Sequence, residues 1–268
     1  MQAARAIRLL ISFDGTAYKG WQRQVSVPTI QGTLEEKLSL ICNEKIHLHG
    51  AGRTDAGVHA LGMVAHFQTT ASLSLAALGR GLNSLLPADI RILNAEQVPP
   101  DFHSRMSAIA KTYRYDLYTG PVMDPTRRLY ETHFPGPFNT RPVRACLQNL
   151  QGSHDFASFE GAGSRDLTKP GKRGSTRTLF QAHLVENKKN PLHFSLIFTG
   201  DGFLRHMIRN IAGTLLLAAQ GKISPREFSA IIQAENREAA GPTAPANGLF
   251  LVRIYYSRQE LEEQKIFL

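Results

Sequence analysis

The chain reads as an α+β protein made of two ferredoxin-like (βαββαβ) halves. Three observations carry that reading. Strand-like alternation and helical spacing follow one another in the order β-α-β-β-α-β, and the series then begins again. The run Pro99-Pro100-Asp101 breaks the chain between the two series, which places the halves at 1–104 and 105–268. The 268 residues suffice for one large domain or two intimately packed ones. Units of this kind set their helices on one sheet face and leave the other open.

In the first half, Arg5–Phe13 alternates as a strand and stops at the turn signal Asp14-Gly15. Pro28 opens a helix with Ile30, Leu34, Leu38 and Ile41 at helical spacing. Short strands are expected at Lys45–His49 and Leu61–Gln68, on either side of a glycine-rich loop. Leu73–Leu86 reads as a helix weakened by Gly79 and Gly81, and Asp89–Val98 as a fourth strand.

In the second half, Lys111–Thr119 is a strand with Tyr113, Tyr115 and Leu117 on one face. Thr140–Leu150 is helical, with Pro142 tolerated in its first turn. Arg177–Glu186 and Pro191–Thr199 form a hairpin across Asn187–Asn190, and Leu204–Gln220 is a helix stopped by Gly221. Ser224-Pro225-Arg226-Glu227 is a capping box that starts another helix. Gly248–Tyr256 is the last strand, followed by a charged tail with helical character.

Lys and Arg exceed Asp and Glu by 31 to 22, a net charge of +9 that favours a polyanionic partner, nucleic acid before membrane. Cys42 and Cys146 are far apart and in no metal-ligand spacing. Two such thiols point to a reducing compartment, and with neither a leader-like start nor a membrane-length apolar run the chain is expected to be cytoplasmic. His47 and His49 share a strand face, but no acidic or thiolate partner lies nearby, so structural or RNA-facing roles are favoured over a metal site. Trp21 reads as a partly buried anchor after the first strand, and Tyr115 as either core or cleft.

The segment from Gly50 to Ala60, GAGRTDAGVHA, holds three glycines and small neighbours around Arg53 and Asp55. Such a loop presents a carboxylate to a bulky ligand while a guanidinium favours its charged form. Residue chemistry alone equally allows a surface turn with an ordinary ion pair. The run resembles the signature of the bacterial tRNA pseudouridine synthase A family (TruA). Further blocks match in family order: FDGTAYKGWQRQ at 13–24, Phe102-His103-Ser104-Arg105 with Lys111–Tyr115, and His154–Phe159. The helix Phe203–Gly213 and the block Ala244–Leu249 complete the series.

The resemblance implies isomerisation of uridines 38, 39 and 40 of the tRNA anticodon stem-loop to pseudouridine, without a cofactor. It implies that Asp55 is the essential carboxylate, attacking C6 or C1′ or abstracting the C2′ proton. Arg53 and Arg209 match arginines that hold that carboxylate ionised and help displace the base. Tyr113 matches the tyrosine that packs on the uracil. The family fold joins the halves into one antiparallel sheet with a basic cleft, and a homodimer grips one tRNA. The absence of a P-loop or dinucleotide fingerprint agrees with chemistry that needs no redox or energy input. A synthase for other RNA sites, or a non-catalytic RNA-binding module of the same fold, are the competing readings; the intact Asp55 argues against the second.

Residues 160–177 match the family least and stand on their own chemistry. Arg165, Lys169, Lys172, Arg173 and Arg177 are strung through a glycine-bearing stretch with too few apolar residues to pack. Such a segment is expected to be mobile and to meet phosphates rather than base edges. Replacing Lys169, Lys172 and Arg173 with Ala is expected to weaken tRNA binding and flatten its salt dependence. Each lost contact removes roughly 0.7 to 0.9 from the log–log slope. An unchanged slope in a salt titration would leave a solvated loop.

Overall fold

The computed structural model describes residues 4–161 and 174–263, so the basic positions Arg165, Lys169, Lys172 and Arg173 lie outside the described residues. The chain divides into two compact units, Met1–Ala110 with Phe250–Leu268, and Lys111–Leu249. The sequence reading has a single division, at 104/105.

The first unit opens with β1 (Arg5–Phe13), α1 (Ile30–Cys42), β2 (His49–Gly50), β3 (His59–Thr69), α2 (Leu75–Leu85) and β4 (Ile90–Val98). Its strands order as β4-β1-β3 with β2 on β3, each neighbouring pair antiparallel. That is the strand order a βαββαβ unit adopts when each helix crosses over one strand. On β1 the alternation expected from sequence is kept: Ile7, Leu9, Ile11 and Phe13 are buried, while Arg8, Leu10 and Ser12 are half-buried. The buried stripes Ile30, Leu34 and Leu38 of α1 and Leu78 and Leu82 of α2 complete the core. Each such side chain contributes about 1.5–3 kcal/mol when removed from water.

Of the expected strand at Lys45–His49 only His49 is in a strand, the first of the two residues of β2. Helix side chains take the backbone donors that a ladder would need. Ile46 N–H donates to Ser39 Oγ at 3.0 Å, and Leu48 N–H donates to Glu35 Oε1 at 3.0 Å. Glu35 is 7 % exposed and also pairs with Arg23 at 3.1 Å, so its carboxylate staples this segment to α1.

The second unit contains β5 (Ala110–Tyr118, whose first residue closes the first unit), β6 (Thr132–His133), α3 (Thr140–Asn149), β7 (Gly152–Asp155) and β8 (Thr176–Glu186). It continues with β9 (His193–Gly200), α4 (Met207–Ala219) and α5 (Pro225–Gln233). The order is β5-β9-β8-β7, antiparallel throughout, with β6 pairing β5 in parallel. The short strands β6 and β7 are additions to the simple repeat. The hairpin turn is built by Asn187, whose Oδ1 accepts the N–H groups of Lys189 and Asn190 at 2.9 and 3.2 Å. The Ser224–Glu227 capping box forms in full at the start of α5. Helix α4 begins at Met207 rather than Leu204 because His206 takes the left-handed conformation (φ 62°) as its N-cap.

The strand β10 (Leu249–Tyr255) carries the chain back into the first unit, where Phe250 and Leu251 pair in parallel with His59 and Ala60 of β3. The charged tail then forms a short helix, Arg258–Glu263. Among the described residues no helix is long and apolar enough to cross a membrane.

The Glu35 staple yields a stability prediction. Glu35→Ala strands the Leu48 N–H and is expected to cost about 1–3 kcal/mol in denaturant unfolding. Glu35→Gln keeps an acceptor and should recover most of that loss. Equal midpoints for wild type and the Ala variant would show that the staple is idle.

Candidate active site

The loop between β2 and β3 carries Arg53 and Asp55, with Arg53 exposed and Asp55 half-buried. Its seat is the segment Gly15–Trp21. Trp21 N–H donates to the Thr54 carbonyl at 3.1 Å, and Gly57 N–H to the Tyr18 carbonyl at 3.3 Å. Gly20 sits at φ +91°, and a Cβ there would lie 2.5 Å from the Thr54 carbonyl oxygen and 3.1 Å from the Asp55 carbonyl carbon. A Cβ on Gly15 would lie 2.0 Å from the Val58 carbonyl oxygen. Backbone therefore rests directly on backbone at both ends of the acid, and only glycine allows that approach.

The seat is itself held by α1. The helix's first N–H groups, which have no intrahelical acceptor, donate to it: Ile30 to the Gly20 carbonyl at 3.2 Å and Gln31 to that of Trp21 at 3.0 Å. The Trp21 indole, 2 % exposed, fills the space beneath Gly50, where a Cβ would stand 2.6 Å from the ring. Trp21 is thus a fully buried anchor. At the far end of the loop, His59 Nδ1 accepts the Gly15 N–H at 3.1 Å, and its ring stacks on Phe250 at 4.7 Å. Thr54 Oγ1 is buried with no hydrogen-bond partner among the described residues, a cost of about 1–3 kcal/mol borne one residue before the acid.

Tyr113 and Arg209 belong to the second unit. Tyr113, on β5 and 8 % exposed, meets Phe203 edge-to-face at 5.0 Å. Arg209 lies in the first turn of α4, and its Nε–H donates to the Ala244 carbonyl at 2.8 Å while Ala244 N–H donates back to the Arg209 carbonyl at 3.0 Å. The neighbouring Asn210 is fully buried; it donates to the Phe159 carbonyl at 2.8 Å and accepts the Thr243 hydroxyl at 2.6 Å. A Cβ on Gly213 would fall 1.7 Å from the Pro242 carbonyl oxygen, so α4 lies flush on the segment 242–244. Tyr115 is core: its hydroxyl bonds Thr132 Oγ1 at 2.6 Å and the Pro245 carbonyl at 3.0 Å, and burial raises its pKa.

Sequence reasoning did not single out Gly15, Gly20, His59 or Asn210 as positioning residues. The signal available was that each lies inside a motif block yet carries no evident chemistry. Among the described residues no group of three or more His, Cys, Asp or Glu is placed to hold a metal ion.

Residues 9–106 and 146–257 match the model of a family described as tRNA pseudouridine synthase. The tRNA pseudouridine synthase A 1 of Desulfotalea psychrophila is 48% identical over 252 residues, which is 94% of this chain and 100% of the relative. The corresponding protein of Protochlamydia amoebophila is 42% identical over 94% of this chain and 96% of its own. The tRNA pseudouridine synthase A of Syntrophotalea carbinolica is 38% identical over 96% and 98%. An antiparallel α+β scaffold that presents one braced loop carboxylate, with these relatives, defines an isomerase. The chain belongs to the tRNA pseudouridine synthase family.

The seat sets the first functional expectation. Gly20→Ala forces an L side chain into a strained φ and against Thr54, at about 1–3 kcal/mol of stability. A displacement of the acid near 1 Å is worth about 100-fold in turnover. Gly79→Ala, where nothing stands within 4 Å of the new methyl, serves as the comparison, with activity unchanged and stability raised by about 0.5–1 kcal/mol as a helix-interior glycine is removed. Isomerase assays and melting curves check both, and a fully active Gly20→Ala enzyme would remove the seat from the mechanism.

Proposed function

We propose that this protein isomerises uridine to pseudouridine in tRNA, at positions 38, 39 and 40 of the anticodon stem-loop, with Asp55 as the catalytic carboxylate. The observation that carries the reading is the unbroken loop Gly50–Ala60, locked by Gly15 and Gly20 at both ends of Asp55. The net reaction conserves every atom. The N1–C1′ bond breaks, the base turns, C5 bonds to C1′, the C5 proton leaves and N1 gains one. No electron donor or acceptor enters.

Asp55 serves this sequence by attack on C6, by attack on C1′, or by taking the C2′ proton, and all three place it at the reacting nucleotide. The family resemblance assigns Arg53 and Arg209 to holding Asp55 ionised and helping displace the target base, and Tyr113 to packing on the uracil. A base in a stem reaches an acid only after leaving the stack, at about a few kcal/mol. The +9 charge supports phosphate contacts that offset this cost. We place the protein in the cytoplasm, working on tRNA as a homodimer of chains with ferredoxin-like halves 1–104 and 105–268. The two buried free cysteines fit a reducing compartment.

Asp55→Asn keeps shape and removes charge, so pseudouridine formation should vanish while tRNA affinity stays within a few-fold. Tritium release from 5-tritiated uridine in tRNA measures the first and a binding titration the second. Near wild-type release would take Asp55 out of the reaction. Mapping pseudouridine in tRNA from cells with and without the gene tests the choice of positions 38–40.

A further inference from the structure

The first unit carries a cluster of rings that the chemistry at Asp55 does not use. His66 on β3 and Arg8 on β1 are register partners, so both rise from the sheet face opposite Ile7 and Phe67. The His66 ring stacks on His49 at 5.1 Å and lies 4.8 Å from His103, while His49 and His103 are 5.7 Å apart. Phe102 meets His66 edge-on at 5.9 Å, and Tyr256 packs on Phe102 at 5.2 Å. Arg8, ion-paired with Glu96, lies over the rings of Phe102 and Tyr256 at 5.7 and 5.3 Å.

Hydrogen bonds fix the cluster. Ser104 N–H donates to His66 Nδ1 at 3.2 Å, and Ser104 Oγ to the His49 carbonyl at 2.6 Å. The Tyr256 hydroxyl donates to the Ser104 carbonyl at 2.7 Å. His103 Nδ1 accepts the N–H groups of Arg105 and Met106 at 3.1 and 3.3 Å. Two of the three Nδ1 atoms are therefore already engaged by backbone donors, which disfavours a metal. Exposure rises from His66, buried, through His103, half-buried, to His49, exposed. Burial, then the charges of His103 and His49, bring the pKa of His66 down to about 4, so the floor of the cluster is neutral near pH 7.

We propose that His49 and His103, resting on His66, form a stacking platform for an unpaired base of the RNA substrate that flanks the target uridine. This rests on the tRNA reading above. Three observations support it. His49 lies six positions before Asp55, so the platform and the acid are within about 20 Å of chain. Imidazole faces are among the surfaces on which proteins stack splayed RNA bases. The positive chain supplies general attraction for RNA, while the ring faces offer a stacking surface to a base rather than a charge to a phosphate.

The test uses the full chain and labelled tRNA in equilibrium titrations over a salt series. His49→Ala should weaken binding about 5-fold or more, the low end of one lost base stack. His49→Phe should bind within two-fold of wild type, and neither variant should change the salt slope. Ala binding as tightly as wild type overturns the platform. So does equal weakening in Ala and Phe with the slope reduced by about one, which marks a phosphate contact instead. Carbethoxylation of the wild-type enzyme gives a readout independent of folding. Saturating tRNA should protect His49 and His103 from diethyl pyrocarbonate, and unprotected rings would overturn the proposal. Wild-type enzyme that neither binds nor modifies tRNA would fail the functional reading itself; intact binding with indifferent His49 variants fails the platform alone.

Discussion

The interaction on which the first unit depends is the contact of backbone with backbone at Gly20–Trp21. Two carbonyls of this dipeptide receive the first N–H groups of α1, and one N–H goes on to the Thr54 carbonyl. A helix end with unmet donors and a loop needing an anchor thus satisfy each other through two residues. The acid is then located by main-chain bonds, which carry no rotamer freedom, rather than by a flexible side chain. That matters for chemistry on a polymer. An RNA substrate brings many contacts of its own, and a soft loop would be moved by them instead of directing them.

The second unit solves a similar problem with a buried amide. Asn210, next to Arg209, ties α4 to the Phe159 carbonyl on one side and to Thr243 on the other. Gly213, one turn later, lets the helix lie on residues 242–244 without a spacer. The Arg209 guanidinium and main chain are held from both directions by Ala244. In both units glycine contacts and carbonyl bonds hold the segments that carry the candidate site residues.

Much of this was legible in the residues. The alternation of β1, the stripe of α1 and the capping box of α5 each state their local structure, because burial and capping act over a few positions. What was not legible depends on partners distant in sequence. The segment 45–48 alternates like a strand, yet its donors go to Ser39 and Glu35. Tyr115 has the same pattern whether it faces solvent or core, and only Thr132 and Pro245 decide it. The motif around Asp55 was evident as a whole, but the reason for Gly50 lies at Trp21, about thirty residues upstream, and the loop's anchor points lie at Tyr18, Gly20 and Trp21.

The path of β10 bears on when the protein becomes whole during its synthesis. Phe250 and Leu251 pair with His59 and Ala60, and Phe250 stacks on His59, whose Nδ1 holds the Gly15 N–H. A chain emerging from the ribosome exposes the edge of β3 at His59 while the intervening second unit is made and folds. The brace on the far end of the acid loop therefore arrives long after the loop itself, from residues more than 190 positions away. Nascent chains and products cut short before residue 250 carry Asp55 without that brace, so the loop gains its far support only once residues 250–251 have been made.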